Sequence, residues 1–141
     1  MKGFVPGFVL DASVALGWLI DHPQSAYAAR VQQRMIDGSR PLVPVHWHLE
    51  IANAVLSAWR RGYLRRETSE VLSDIAALMS FMETDDMPDD IGTLAGMGQR
   101  QQLTSYDAAY VALAARRSVP LATEDAAMIS AARSLKIPIL H

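Results

Sequence analysis

The chain contains no cysteine, which excludes disulfides, thiolate metal centres and a cysteine nucleophile at once. Any metal would have to be held by oxygen or imidazole. Long apolar runs are missing as well. The N-terminal run from Phe4 to Leu10 is broken by Pro6 and Gly7 and stops at Asp11. Nothing later approaches the roughly 18 uncharged residues needed to span a bilayer, so no membrane association and a cytoplasmic location are expected. Gly92, Gly96 and Gly98 do not form a glycine-rich dinucleotide loop behind a strand, and no Gly-Lys-Ser/Thr phosphate loop occurs; nucleotide-cofactor chemistry therefore has no anchor. A large net excess of either charge is missing too. The formal net charge is −2, so a polyanion would have to be held by local basic patches or by bound metal.

What is present is a globular balance: 141 residues, 50% hydrophobic and 20% charged. That is room for a single domain over residues 1–141 and for a sizeable core. Gly7-Phe8-Val9-Leu10 reads as a buried strand ending at Asp11-Ala12-Ser13, and Val14–Ile20 as a short helix. Gln24–Asp37 carries Tyr27, Val31, Arg34 and Met35 at helical spacing and closes at Gly38, a C-cap residue. Leu42–Val45 reads as a second strand. It feeds a helix over 46–61 whose predicted apolar stripe is Ala52, Val55, Leu56 and Trp59, ended by Gly62.

A further amphipathic helix is expected over 67–82, with Thr68 or a neighbour as cap, and a weaker one over 91–101. Ser105 is the expected N-cap of an alanine-rich helix over 106–117. Val119–Ala122, a helix over 125–135 and a last strand over 137–140 complete the chain. Short apolar strands alternating with helices specify an α/β fold with a parallel sheet covered on both faces.

Acids at the carboxyl ends of parallel strands carry more functional weight than acids elsewhere. Asp11 follows the first strand directly, and Asp125 follows Leu121–Glu124 where the next helix begins. Asp107 heads a helix face that continues through Tyr110, Val111 and Ala114. Glu50 shares its face with the short side chains Asn53, Ala54 and Ser57, the wall of a cleft. Taken singly, each aspartate reads first as a helix cap or a partner of the helix dipole, and Glu50 as a solvated helix residue. Taken together, four converging carboxylates would need protonation or a cation. An all-oxygen site suits Mg²⁺ or Mn²⁺, whose open positions accept a phosphodiester and an activated water.

The segments carrying these acids resemble the PIN-domain family, and in particular its VapC-type toxins. Val9-Leu10-Asp11-Ala12-Ser13, Val43-Pro44 with Glu50–Leu56, Ser105–Ala114 and Leu121-Ala122-Thr123-Glu124-Asp125 stand in the family's order, over a span from about Phe8 to Leu140. The resemblance implies a three-layer α/β/α sandwich with a short-stranded parallel sheet. It also implies an Mg²⁺- or Mn²⁺-dependent endoribonuclease that forms a homodimer and is inhibited by a cognate VapB-type antitoxin. Asp11, Glu50, Asp107 and Asp125 map onto the family's catalytic and metal-binding acids, with Ser13, Asn53 and Thr123 as supporting residues. Two other readings are a catalytically silent PIN-fold binding module and a PIN nuclease working outside toxin–antitoxin biology.

The basic run Arg60, Arg61, Arg65 and Arg66 around Tyr63 could hold RNA phosphates or be a solvated helix end, and Arg116-Arg117 has the same two readings. Asp85, Asp86, Asp89 and Asp90 read as a solvated loop and helix start without an assigned role. Met79, Met82, Met87 and Met97 read as core, although methionine also suits a partner surface. His46-Trp47-His48 does not make a zinc motif, because residues two apart leave a helix on different faces, and His22 and His141 have no partner by spacing.

Overall fold

The computed structural model describes residues 7–20, 24–87 and 89–141; His22, together with Phe4 and Pro6 of the first apolar run, lies outside them. Among the described residues, four parallel strands stand in the order β3-β2-β1-β4: β1 (Gly7–Leu10), β2 (Arg40–Pro44), β3 (Glu83–Asp85) and β4 (Leu121–Ala122). The helices of the described residues connect and cover them: α1 (Ala12–Leu19), α2 (Ala26–Ile36), α3 (Trp47–Arg60), α4 (Thr68–Met79), α5 (Ile91–Gln101), α6 (Ser105–Arg117) and α7 (Ala126–Ser134).

Phe8, Val9 and Leu10 are all fully buried. Successive strand residues point to opposite faces, so both faces of this central strand are covered, as the near-continuous apolar run predicts. On one side α5, α6 and α7 pack together with α6 across β1 and β2; on the other α1 packs with α2, α3 and α4. The expected last strand is reduced to one parallel bridge, Leu121 to Ile139, since Pro138 has no amide hydrogen to extend a ladder.

Further expectations are corrected. The first concerns β3, which was not foreseen. The helix expected over 67–82 stops at Met79, and Glu83–Asp85 adds an edge strand to β2. Asp85 is therefore no loop residue. Its buried carboxylate takes Arg116 and Arg117, each at 3.0 Å, while Arg117 also reaches Glu83 at 2.9 Å. These arginines are thereby committed to the protein. Of the other acids, Asp90 caps α5 by accepting from the Thr93 amide at 2.7 Å, the helix-start role the sequence indicates.

The second correction concerns the face of α3. It buries Trp47, Ile51, Val55 and Ala58, leaving Leu49, Ala52, Leu56 and Trp59 exposed. Trp59 is 61% exposed, so only Val55 of the predicted stripe belongs to the core. The third concerns the start of α6, whose cap is Thr104, not Ser105; its hydroxyl accepts from the Asp107 amide at 3.1 Å. Met82 and Met97 are buried, whereas Met87 is exposed.

The Thr104 cap is held from α5. The Leu103 amide donates to the Gly98 carbonyl at 3.0 Å, and a Cβ on Gly98 would stand 2.8 Å from the Leu103 carbonyl oxygen. Glycine is required there by close backbone approach. Gly98→Ala is expected to lower stability by about 1–3 kcal/mol, the range for forced overpacking, read as a lower urea midpoint with an unchanged slope.

Candidate active site

In parallel sheets a crevice opens at the carboxyl ends where the strand order reverses. Here β1 pairs with β2 on one side and with β4 on the other, so the reversal lies between β1 and β4. The register sets Leu10 beside Ala122, which brings the next residues, Asp11 and Thr123, together. The Thr123 hydroxyl donates to Asp11 Oδ2 at 2.8 Å and accepts from the Asp125 amide at 3.1 Å. The Ser13 hydroxyl donates to the same Asp11 oxygen at 2.9 Å. Ser13 and Thr123 thus fix the first acid.

Asp11 also caps α1 through the Ser13 amide, and Asp125 caps α7 through the Met128 amide at 2.9 Å. The capping reading of these two residues therefore holds alongside any functional one. Asp107 is different. Thr104 already caps α6, so Asp107 stands in the first helical turn and not at the cap position.

Glu50 faces this group from α3. Tyr110, on α6, donates its hydroxyl to Glu50 Oε1 at 2.8 Å, and His46 Nε2 lies 3.0 Å from the same oxygen. The histidine contact is short but off the direction of a good hydrogen bond, since Nε2 makes no aligned one. His46 also packs edge-on to the Tyr110 ring with centroids 5.0 Å apart. A cleft of about 530 Å³ opens in front, lined by His46, Leu49, Glu50, Asn53, Thr104, Tyr106 and Asp107.

The electrostatics tie the four acids into one neighbourhood. Burial pushes the Asp107 carboxyl above its ordinary value, and the charges of Asp125, Asp11 and Glu50 push it further. Burial also raises Asp11 against the pull of its Thr123 and Ser13 hydrogen bonds, with Glu50 adding to the rise. Glu50 behaves in the opposite sense. Burial would raise it, but the His46 contact and the Tyr110 hydrogen bond outweigh that and hold it below the usual glutamate value.

The donor set is oxygen-only apart from the His46 imidazole, and the cleft lining contains no lysine or arginine. Its chemistry fits a hard divalent cation. Among the described residues, no three acidic or histidine side chains converge closely enough to enclose an ion by themselves. Water and substrate oxygens would complete the shell, as Mg²⁺ commonly requires.

The remaining candidates divide. Asn53 lines the cleft. Arg60, Arg61 and Arg65 are exposed, Arg60 standing about 15 Å along the helix axis from Glu50 at 1.5 Å per residue. Arg66 is engaged with Asp74 at 2.8 Å and Glu70 at 3.7 Å. Thr104, Tyr106 and Tyr110 are not site candidates in the sequence, and His46 is considered there only as part of a zinc motif that fails. The i,i+4 spacing of His46 and Glu50 was the available signal for one of them.

The PIN domain pattern matches residues 8–134. No curated protein sequence matches the chain closely. Among solved structures, PAE2754 from Pyrobaculum aerophilum is 19% identical, covering 90% of this chain and 84% of its own, with a TM-score of 0.64. VapBC2 from Rickettsia felis, bound to a DNA fragment from its promoter, is 13% identical, covering 95% and 97%, with a TM-score of 0.64. FitAcB from Neisseria gonorrhoeae is 14% identical, covering 95% and 96%, with a TM-score of 0.57. At these identities the structures share the fold. With the family pattern spanning most of the chain and the acids standing at the carboxyl end of a parallel sheet, the chain belongs to the PIN domain family.

Proposed function

We propose that the protein is a divalent-cation-dependent endoribonuclease and the toxin of an antitoxin-paired module. The observation that carries this reading is the placement of Asp11 and Asp125 at the carboxyl ends of β1 and β4, joined through the Thr123 hydroxyl, with Glu50 tied to the Asp107 helix by the Tyr110 hydroxyl, in a chain of the PIN domain family. Mutually repelling acids are a cost to folding that a bound cation relieves. Asp11, Glu50, Asp107 and Asp125 would hold Mg²⁺ or Mn²⁺, with Ser13 and Thr123 orienting Asp11. The ion, when bound, supplies charge neutralisation for a phosphodiester and for the water that attacks it.

The chain's own groups do the rest. Asn53 offers an amide to the substrate beside Glu50, and the exposed Arg60 at the end of α3, with Arg61 and Arg65 in the segment that follows it, supplies phosphate contacts. The likeness to VapC-type toxins in the four motifs, and the fold shared with VapBC2 and FitAcB, support an antitoxin partner, a homodimer and a cytoplasmic setting. The uncovered apolar residues of α3 give such partners a surface.

A silent PIN-fold binding module is the second reading, favoured by the fact that no three of these side chains enclose an ion. Incubating the purified protein with a mixed RNA pool separates the two. Discrete cuts that require Mg²⁺ or Mn²⁺ and vanish with chelator are expected, and cleavage that persists in chelator would rule out the metal-dependent enzyme. An intact RNA pool under both conditions would favour the silent module.

A further inference from the structure

We infer that Tyr110 is a positioning residue that holds Glu50 in register with the other acids, leaving one carboxylate oxygen for the cation. The inference rests on the metal-dependent reading above. Tyr110 is fully buried, and a buried phenol needs a partner for its hydroxyl. A backbone carbonyl would serve that need. Here the hydroxyl donates instead to Glu50 Oε1 at 2.8 Å and accepts from the Ala12 amide at 3.3 Å.

One oxygen atom thereby links three chain segments. Ala12 follows Asp11, Glu50 is the partner itself, and Tyr110 stands three residues beyond Asp107 on the same helix face. The hydroxyl therefore fixes α1, α3 and α6 to each other at the point where each presents an acid. His46 crowds the same Glu50 oxygen without an aligned hydrogen bond, so Tyr110 supplies the directional contact. Glu50 Oε2 has no protein hydrogen-bond partner among the described residues. Phenylalanine would fill the same volume, so the hydroxyl is the informative atom.

The test is a calorimetric Mn²⁺ titration of the parent, Tyr110→Phe, Glu50→Gln and the double variant, with melting in chelator recorded alongside. Tyr110→Phe is expected to weaken Mn²⁺ binding by about 10-fold or more, the range for losing a group that orients a metal ligand. In the Glu50→Gln background the same change should weaken it no further. Tyr110→Phe binding Mn²⁺ like the parent, or a loss that adds in full on Glu50→Gln, would overturn the positioning role while leaving the metal-dependent reading intact. A parent that binds no Mn²⁺ overturns both. In the parent itself, the hydroxyl proton that Tyr110 donates to Glu50 should shift in NMR spectra on Mg²⁺ addition; a proton that does not move as the protein saturates with Mg²⁺ argues against the role without any variant.

Discussion

Replacing Asp107 with asparagine is expected to abolish cleavage and at the same time to raise the melting temperature of the metal-free protein at neutral pH. The loss of activity should exceed about 100-fold, because losing groups that merely orient a ligand already costs roughly 10–100-fold. The stability gain follows from the carboxyl's surroundings. Burial and three neighbouring acids raise its folded-state pKa, so its charge opposes folding above that value, and the opposition fades as pH falls toward the ordinary aspartate value of about 3.9. The asparagine variant should accordingly be more stable than the parent at pH 7 and converge with it in acid. The dipole at the start of α6 favours the acid and trims the gain. Calorimetric melting in chelator across pH measures this, and a variant destabilised at every pH would show that Asp107 serves the fold. A site kept at a cost to stability is the pattern expected where function selects the residue.

Asp85→Ala should have the reverse profile. One carboxylate oxygen takes both Arg116 and Arg117, and the other accepts from the Met87 amide at 3.0 Å. Together these contacts tie the edge strand β3 to the end of α6. Removing one member of a fully buried ion pair costs about 3–5 kcal/mol. The arginines here are partly exposed and can turn to water, so about 2 kcal/mol is expected, read as a lower urea midpoint.

Burial pushes Asp85 up, but the hydrogen bonds from Arg116, the Met87 amide and Arg117 outweigh it and leave its pKa lowered. The stability it contributes is therefore present above the ordinary aspartate value and is lost as pH falls through the lower folded value. The parent's advantage over Asp85→Ala should shrink only in strong acid. An unchanged midpoint at pH 7 would show that the ion pairs are surface contacts of little worth.

Most of the element order was legible in the sequence because apolar periodicity and punctuation agreed. Gly38 and Gly62 stand at positive φ just where α2 and α3 end, and the burial of Phe8, Val9 and Leu10 matches an unbroken apolar run. The face of α3 was not legible. Its sequence carries two apolar stripes, Trp47-Ile51-Val55-Ala58 and Leu49-Ala52-Leu56-Trp59, and helical spacing permits either. The choice is made by which stripe meets the neighbouring elements. β3 was hidden because Glu-Thr-Asp has no strand-like composition. It becomes a strand by pairing with β2 and by having Arg116 and Arg117 available, 31 and 32 residues beyond Asp85 in sequence, to neutralise it.

The sequence alone specified a cysteine-free α/β domain and pointed to four acids in a fixed order, since these depend on local pattern and on residue chemistry, while Ser13 and Thr123 entered only through the likeness to the PIN-domain family. Only the tertiary structure decided that Asp85 belongs to an ion-pair network and Asp107 to the cleft, that Tyr110 joins Glu50 to the start of α1, and that Arg116 and Arg117 are not free to meet a polyanion. Each of these depends on contacts between segments 30 or more residues apart. Such contacts are set by strand register and helix packing, and neither leaves a trace in local periodicity.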